Sequence, residues 1–142
     1  MNKKGFTLIE LLTVIVVLAV IILIAMPVIS NIIEDSRKNT FKISLESLIK
    51  VAKNNYNGSA RIGEVTYTLS ENTLICTSGC QEGNIEIDYS GNLKEAKGTI
   101  TINGDNINME ISNALYKGVY EQLEDPDKGK IENVKVEKIN ES

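Results

Sequence analysis

The chain contains, at residues 11–33, the sequence LLTVIVVLAVIILIAMPVISNII, which holds no charged side chain. These 23 residues would rise about 35 Å as an α-helix, and the hydrocarbon core of a bilayer is about 30 Å thick. The stretch therefore predicts one membrane-spanning helix near the N-terminus.

The charges on either side of this stretch set its orientation. Lys3 and Lys4 precede it, and Glu34 and Asp35 follow it. Because basic residues stay on the cytoplasmic side, we expect the N-terminus inside and the rest of the chain outside. A cleaved secretory signal explains the stretch poorly, since its apolar core is usually about 7 to 15 residues long. A plain signal anchor accounts for the length and the flanks, but not for Glu10.

Glu10 is an acidic residue at the very start of the apolar segment. A charged side chain costs up to about 3 kcal/mol at the centre of a membrane helix and less toward its ends, and such residues usually have a partner and a role. Glu10 is therefore a candidate functional residue.

Residues 3–12, KKGFTLIELL, closely resemble the prepilin peptidase recognition motif of type IV pilins and of the related pseudopilins. The short basic leader, Gly5, Phe6 and Glu10 stand at the spacing of that motif. The resemblance implies cleavage after Gly5 and N-methylation of the new terminus at Phe6. It also implies that Glu10 pairs with the Phe6 amino group of a neighbouring subunit, a contact that would recover much of the cost of burying a lone carboxylate.

Pro27 lies inside the apolar segment and also matches the pattern of the pilin family. A proline there removes one backbone hydrogen bond and crowds the carbonyl of Leu23. One interpretation is an ordinary kink, which membrane helices tolerate. The other is that residues 21–27 loosen when the helix packs into a filament, so that Pro27 takes part in assembly.

The helical pattern continues beyond the membrane segment, with apolar residues on one face and charged residues on the other. The apolar positions are Ile33, Phe41, Leu45, Leu48, Ile49, Ala52 and Tyr56. We predict a helix from Phe6 to about Asn55, ended by the turn signal Asn57-Gly58. Its second half should pack on a sheet formed by the rest of the chain.

After Gly58 the sequence changes to short alternating runs separated by turn residues, which predicts strands. The predicted strands are 64–70, 73–76, 85–89, 98–102 and 107–111, with turns at 90–92 and 103–106 and a possible last strand at 134–136. Residues 114–124 are predicted as a short helix that ends before Pro126. We expect an antiparallel sheet of three or four strands.

Together these elements predict an α+β fold, in which a long N-terminal helix packs on a small antiparallel sheet, as the resemblance to pilins also implies. We expect four segments. They are a cleaved leader at 1–5, an apolar assembly helix at 6–33, an amphipathic helix at 34–57 and a β-rich head at 58–142.

The two cysteines, Cys76 and Cys80, lie in one short segment. In a chain that crosses a membrane, the oxidising compartment favours a disulfide between them. The alternative is a pair of free thiols, although a thioredoxin-like redox motif has two residues between its cysteines and this segment has three.

The composition argues against catalysis and against nucleic-acid binding. The chain has no His, so the commonest general base near neutral pH is missing, and its net charge is −4, which provides no basic surface for nucleic acid. Residues 125–129 resemble a calcium loop only faintly, because the further acidic ligands are missing. The sequon at Asn57 also fits a helix-ending turn, which is the interpretation we favour. We predict neither an enzyme, nor a cofactor, nor a metal site.

Three functions are compatible with these observations. The first is a pilin that polymerises into an extracellular type IV pilus for adhesion, surface motility or aggregation. The second is a pseudopilin of a type II secretion or DNA-uptake system. The third, a membrane-anchored domain that never polymerises, would make Glu10 incidental. For a pilin the resemblance implies four partners: other copies of the chain, prepilin peptidase, the assembly platform with its minor pilins, and the cytoplasmic membrane before assembly.

Overall fold

A computed structural model describes residues 5–58, 63–70, 73–80, 87–88, 93, 95–121 and 134–139. The elements in chain order are α1 (Leu8–Gly58), β1 (Glu64–Ser70), β2 (Thr73–Ser78), β3 (Ile87–Asp88), β4 (Lys97–Asn103), β5 (Asn106–Ser112), β6 (Tyr116–Glu121) and β7 (Lys135–Lys138). The chain divides into two compact units, Met1–Arg37 and Lys38–Ser142. The predicted architecture, one long N-terminal helix packed on an antiparallel sheet, is confirmed.

The second unit contains one sheet with the strand order β3-β2-β1-β4-β5-β6-β7, and every neighbouring pair is antiparallel. Strand β1 lies inside the sheet because it pairs with both β2 and β4. A two-residue turn joins β4 to β5, since Asn103 is paired with Asn106. Gly104 has a φ of 62° in this turn, a conformation that glycine adopts at no steric cost. The predicted hairpin at 103–106 is confirmed.

The core of the second unit lies between the sheet and the C-terminal part of α1. On the helix the buried apolar residues recur every three or four positions, namely Phe41, Leu45, Leu48, Ile49, Ala52 and Tyr56. On the strands buried residues alternate with outward-facing ones, as in β5, where Ile107, Met109 and Ile111 are buried. Both patterns place the apolar side chains on one face of their element, because a helix repeats its faces every 3.6 residues and a strand every two. The two apolar faces pack against each other.

The helix docks on β6 through a ring contact and a glycine. The Phe41 and Tyr116 ring centroids are 5.9 Å apart. Gly118 faces the helix at a point where a Cβ would collide with the Leu45 side chain. The absence of a side chain at Gly118 therefore lets the helix approach the sheet closely.

Two predictions about the sheet were wrong. It has seven strands among the described residues rather than three or four. The helix predicted at 114–124 is instead strand β6, in which Tyr116, Gly118 and Tyr120 are buried and Val119 is exposed. This alternation of buried and exposed residues is the pattern of a strand. A helix is disfavoured here because Gly118 is a poor helix residue, and in the strand Gly118 packs against Leu45.

The remaining boundaries differ by a few residues. Helix α1 begins at Leu8 rather than Phe6 and ends at Gly58 rather than near Asn55. The possible last strand is confirmed as β7, and β3 keeps Ile87–Asp88 of the strand predicted at 85–89. The predicted turn at 90–92 and the segment 125–129 lie outside the described residues.

Candidate functional site

The candidate site is the start of α1 with the residues that precede it. Gly5, Phe6 and Thr7 lie before the helix and are exposed, and the Phe6 side chain is 91% exposed. The peptide bond between Gly5 and Phe6, the predicted cleavage point, is thus outside the helix. A bond in non-helical chain presents its backbone groups to an approaching protein, whereas helical residues use theirs internally.

Thr7 and Glu10 hold the first turn of α1 together. The Thr7 N–H and the Thr7 hydroxyl each donate to Oε2 of Glu10 at 2.8 Å. The Glu10 N–H donates in return to the Thr7 hydroxyl oxygen at 3.3 Å. This is a capping box, which satisfies backbone N–H groups that have no partner inside the helix. It explains why the helix begins at Leu8 and not at Phe6.

The capping box also shows how the Glu10 carboxylate is placed in a single chain. It is not left without hydrogen bonds, because Thr7 supplies two donors to one of its oxygens. Sequence analysis singled out Glu10 but missed Thr7. The signal was present, since a Ser or Thr followed three residues later by Glu is the sequence pattern of this cap.

The rest of the apolar segment exposes its side chains all around the helix. Twenty large hydrophobic residues between Phe6 and Ile33 are exposed, and α1 is long and apolar enough to cross a membrane. The two hydroxyl residues that α1 carries after Glu10 and before Ile33 are satisfied locally. Thr13 donates to the carbonyl of Ile9 at 2.8 Å, and Ser30 donates to the carbonyl of Met26 at 3.1 Å. Within this described segment Glu10 is therefore the only charged side chain.

Pro27 lies inside α1, and the helix continues through it. It is 17 residues beyond Glu10, which corresponds to about 25 Å along a helix. The structure therefore does not bring these two residues together. Their predicted roles in assembly therefore belong to two positions that lie far apart along the same helix.

The two cysteines belong to the second unit, where a disulfide joins Cys76 to Cys80. Cys76 is a buried residue of β2, and the bond closes a short loop at the end of that strand. Gly79 in this loop has a φ of 75°, and a Cβ there would collide with the backbone carbonyl of Glu64. The loop that the disulfide closes thus lies close to the start of β1.

Among the described residues there is no group of three or more His, Cys, Asp or Glu side chains placed to hold a metal ion. A depression of about 240 Å³ on the head lies over β4, β5 and β6 and is lined mainly by polar side chains.

Residues 1–26 match the family model of the prokaryotic N-terminal methylation motif. The chain carries the class III signal peptide of type IV pilins. The matched residues of this pilin signal include Gly5, Phe6 and Glu10. No curated protein and no solved structure matches the chain. The motif and the apolar helix that follows it fit a membrane-anchored precursor of the pilin-like or pseudopilin kind and point to a structural subunit.

Proposed function

We propose that the protein is a pilin, the structural subunit of a type IV pilus. It is cleaved after Gly5 by prepilin peptidase and N-methylated at Phe6. It then polymerises through its N-terminal helix into an extracellular filament that serves adhesion, surface motility or aggregation. The observation that carries this proposal is the continuity of the methylation motif at residues 1–26 with an exposed apolar helix that contains one carboxylate.

The exposed apolar helix demands either lipid or other protein. Fully burying one Leu, Ile or Val side chain contributes about 1.5 to 3 kcal/mol, and twenty large hydrophobic residues are exposed between Phe6 and Ile33. The free-energy cost of exposing this surface to water would exceed the free energy of unfolding of an ordinary domain. The single-pass precursor covers it with the bilayer, its N-terminus inside, and the filament covers it with the helices of other copies.

Glu10 gives assembly its register in this proposal. In the precursor its carboxylate accepts hydrogen bonds from Thr7 of its own chain. Cleavage after Gly5 leaves the Phe6–Thr7 peptide intact, so these donors survive, and it creates an amino group at Phe6. A cationic amino group in low dielectric attracts a carboxylate more strongly than a neutral hydroxyl does. The Phe6 terminus of a neighbouring subunit therefore replaces the Thr7 bonds and fixes the axial offset between the two helices.

Pro27 has a separate role in the filament. It donates no backbone hydrogen bond, so the helical turn that begins at Leu23 is weaker than its neighbours. We propose that residues 21–27 loosen on packing. The assembly platform and minor pilins complete the set of partners, and the head at 58–142 forms the outer surface of the pilus.

The test is to express the chain in a host with and without prepilin peptidase, shear the cells and measure the N-terminal mass of the released protein. Long filaments whose subunits begin at N-methyl-Phe6 are the expected result. Intact Met1 in the presence of the peptidase would overturn the proposal. Processed protein that stays in the membrane in short assemblies would indicate the pseudopilin alternative instead.

A further inference from the structure

The second unit contains two steps in which glycine follows asparagine. Asn57-Gly58 ends α1, and Asn103-Gly104 leads into the turn between β4 and β5. Both asparagines are exposed. Glycine has no Cβ to separate its backbone nitrogen from the side chain of the preceding asparagine, so these two groups can react with each other. In the second step the glycine N–H is bound by a side chain from another element of the fold.

The reaction open to such a step is deamidation. The glycine nitrogen attacks Cγ of the asparagine side chain, a new C–N bond forms, and the bond from Cγ to the side-chain nitrogen breaks. The glycine N–H proton, carried by water, leaves with that nitrogen as ammonia. Water then opens the succinimide ring to aspartate or isoaspartate, so water is the only co-reactant. The rate therefore depends on how freely the glycine nitrogen loses its proton and approaches Cγ.

The hydroxyl of Tyr56 restrains the Gly104 nitrogen. The Gly104 N–H donates to the Tyr56 oxygen at 3.0 Å, and the Tyr56 hydroxyl donates in turn to the Gly63 carbonyl at 2.9 Å. Tyr56 is only 6% exposed, and close packing holds a buried ring in one position. The Gly104 nitrogen must therefore leave this hydrogen bond before it can attack Asn103.

The backbone on the other side of the reacting bond is held by the sheet. Asn103 is the last residue of β4 and is paired with Glu64 of β1 and with Asn106 of β5. Closing the succinimide ring requires rotation of the Asn103 backbone, and the hydrogen bonds of the strand ladders oppose that rotation. Gly104 itself is exposed, so water reaches the turn. The step is restrained in its geometry but not closed to its co-reactant.

We propose that Asn103 is a latent deamidation site whose rate is set by the hydrogen bond from the Gly104 N–H to the Tyr56 hydroxyl. While the end of α1 is docked against the turn, Asn103 stays an amide. When this contact opens, Asn103 becomes a carboxylate two residues before Asp105, which pairs with Lys53 at 3.8 Å. The modification thus records the opening of this end of the second unit. It requires neither cleavage nor assembly, so the inference goes beyond the proposed function and does not depend on it.

Tyr56→Phe tests the inference because it removes the hydroxyl and keeps the ring. The matched control is Tyr67→Phe, since the Tyr67 hydroxyl donates to the Asn55 side chain at 3.0 Å and so also ties the sheet to the end of α1. The full-length protein and both variants are incubated in detergent at mildly alkaline pH, with and without urea. Mass spectrometry follows conversion at Asn103 and at Asn57 separately, because the two asparagines fall in different tryptic peptides.

We expect folded Tyr56→Phe to convert Asn103 about two- to tenfold faster than the unchanged protein, the factor that corresponds to one net hydrogen bond. Folded Tyr67→Phe should convert Asn103 at the rate of the unchanged protein. In urea all three proteins should convert it at one common, higher rate, because the restraints are lost.

An unchanged rate at Asn103 in folded Tyr56→Phe would overturn the inference. Equal acceleration by Tyr67→Phe, or equal acceleration at Asn57 in Tyr56→Phe, would also overturn it, because either result would show general loosening of the end of α1. Conversion of Asn103 as fast in the folded unchanged protein as in urea would show that nothing restrains the step, with the same consequence. None of these outcomes concerns cleavage or filament formation, so the proposed function is tested separately.

Discussion

Helix α1 exposes its apolar side chains in one unit and buries them in the other. Among the described residues of Met1–Arg37 the large hydrophobic side chains are exposed, whereas in Lys38–Ser142 most apolar residues of the same helix, with the exception of Ile43, are buried against a sheet. The difference lies in the pattern, because residues 11–33 are apolar all around the helix and the later residues are apolar on one face. A helix that is apolar all around needs a partner outside its own domain. The described apolar side chains of the first unit therefore need lipid or other protein to cover them, whereas the second unit buries its apolar helix face itself.

The largest expected effect concerns the first unit, Met1–Arg37. Glu10→Gln keeps the shape of the side chain but removes its charge, so it cannot form an ion pair with the Phe6 terminus of a neighbour. We expect the yield of sheared filaments to fall by about two orders of magnitude, since breaking a buried charged pair costs about 3 to 5 kcal/mol. The amount of protein in the membrane serves as the control.

The same experiment measures the thermal unfolding of the head in detergent. We expect no change there, because Glu10 belongs to the other unit. Normal filament yield for Glu10→Gln would mean that the carboxylate serves only as a helix cap through its bonds to Thr7.

The second prediction sharpens the contrast between the two faces of the helix. Leu45 is fully buried, while Ile43, two residues earlier, is 57% exposed. We expect Leu45→Ala to destabilise the head by about 2 to 5 kcal/mol because it leaves a cavity in the core. The matched variant Ile43→Ala should change stability by less than about 0.5 kcal/mol. Urea unfolding of the full chain in detergent measures both, and equal effects would show that α1 does not pack on the sheet as described.

The third prediction concerns the fit of the helix on β6. Gly118→Ala places a Cβ where the Leu45 side chain lies, and we expect a loss of about 1 to 3 kcal/mol from overpacking. Combining it with Leu45→Val should cost less than the sum of the two single changes, because the smaller side chain leaves room for the new methyl group. Additive losses in this double-mutant cycle would contradict the contact.

The smallest expected effect depends on pH. Burial raises the pKa of Tyr120 above its ordinary value, so the folded state favours the neutral phenol. In the unfolded chain the Tyr120 phenol therefore loses its proton at a lower pH, near 10, than in the folded state. The free energy of unfolding consequently falls as the pH rises through the pKa of the folded state. Tyr120→Phe should flatten the dependence of the unfolding midpoint on pH in this range. An unchanged slope would show that Tyr120 does not contribute.

The sequence predicted most where the information is local. The pilin signal and the apolar run of 11–33 each depend on residues close together in the chain. The capping pattern of Thr7 and Glu10 is equally local, but sequence analysis missed it. The predicted roles of Gly5, Phe6, Glu10 and Pro27 in processing and assembly stay predictions, because they concern an enzyme and other subunits. The strands around the hairpin at 103–106 were also predicted, since alternation and turn residues are local signals.

What only the tertiary structure decided is how distant segments meet. Residues 116–121 have apolar positions that fit a helix, yet they form β6 because β5 offers a strand edge and Leu45 fits against Gly118. In the order of seven strands, five of the six pairings join consecutive strands, whereas β1 pairs with β4 although β2 and β3 lie between them in the chain. No local pattern specifies that pairing. The sequence by itself determined an apolar N-terminal helix with a pilin signal, because hydrophobicity and a short motif are local properties. The sheet and the close fit of Gly118 against Leu45 required the packed fold, because each depends on residues that only folding brings into contact.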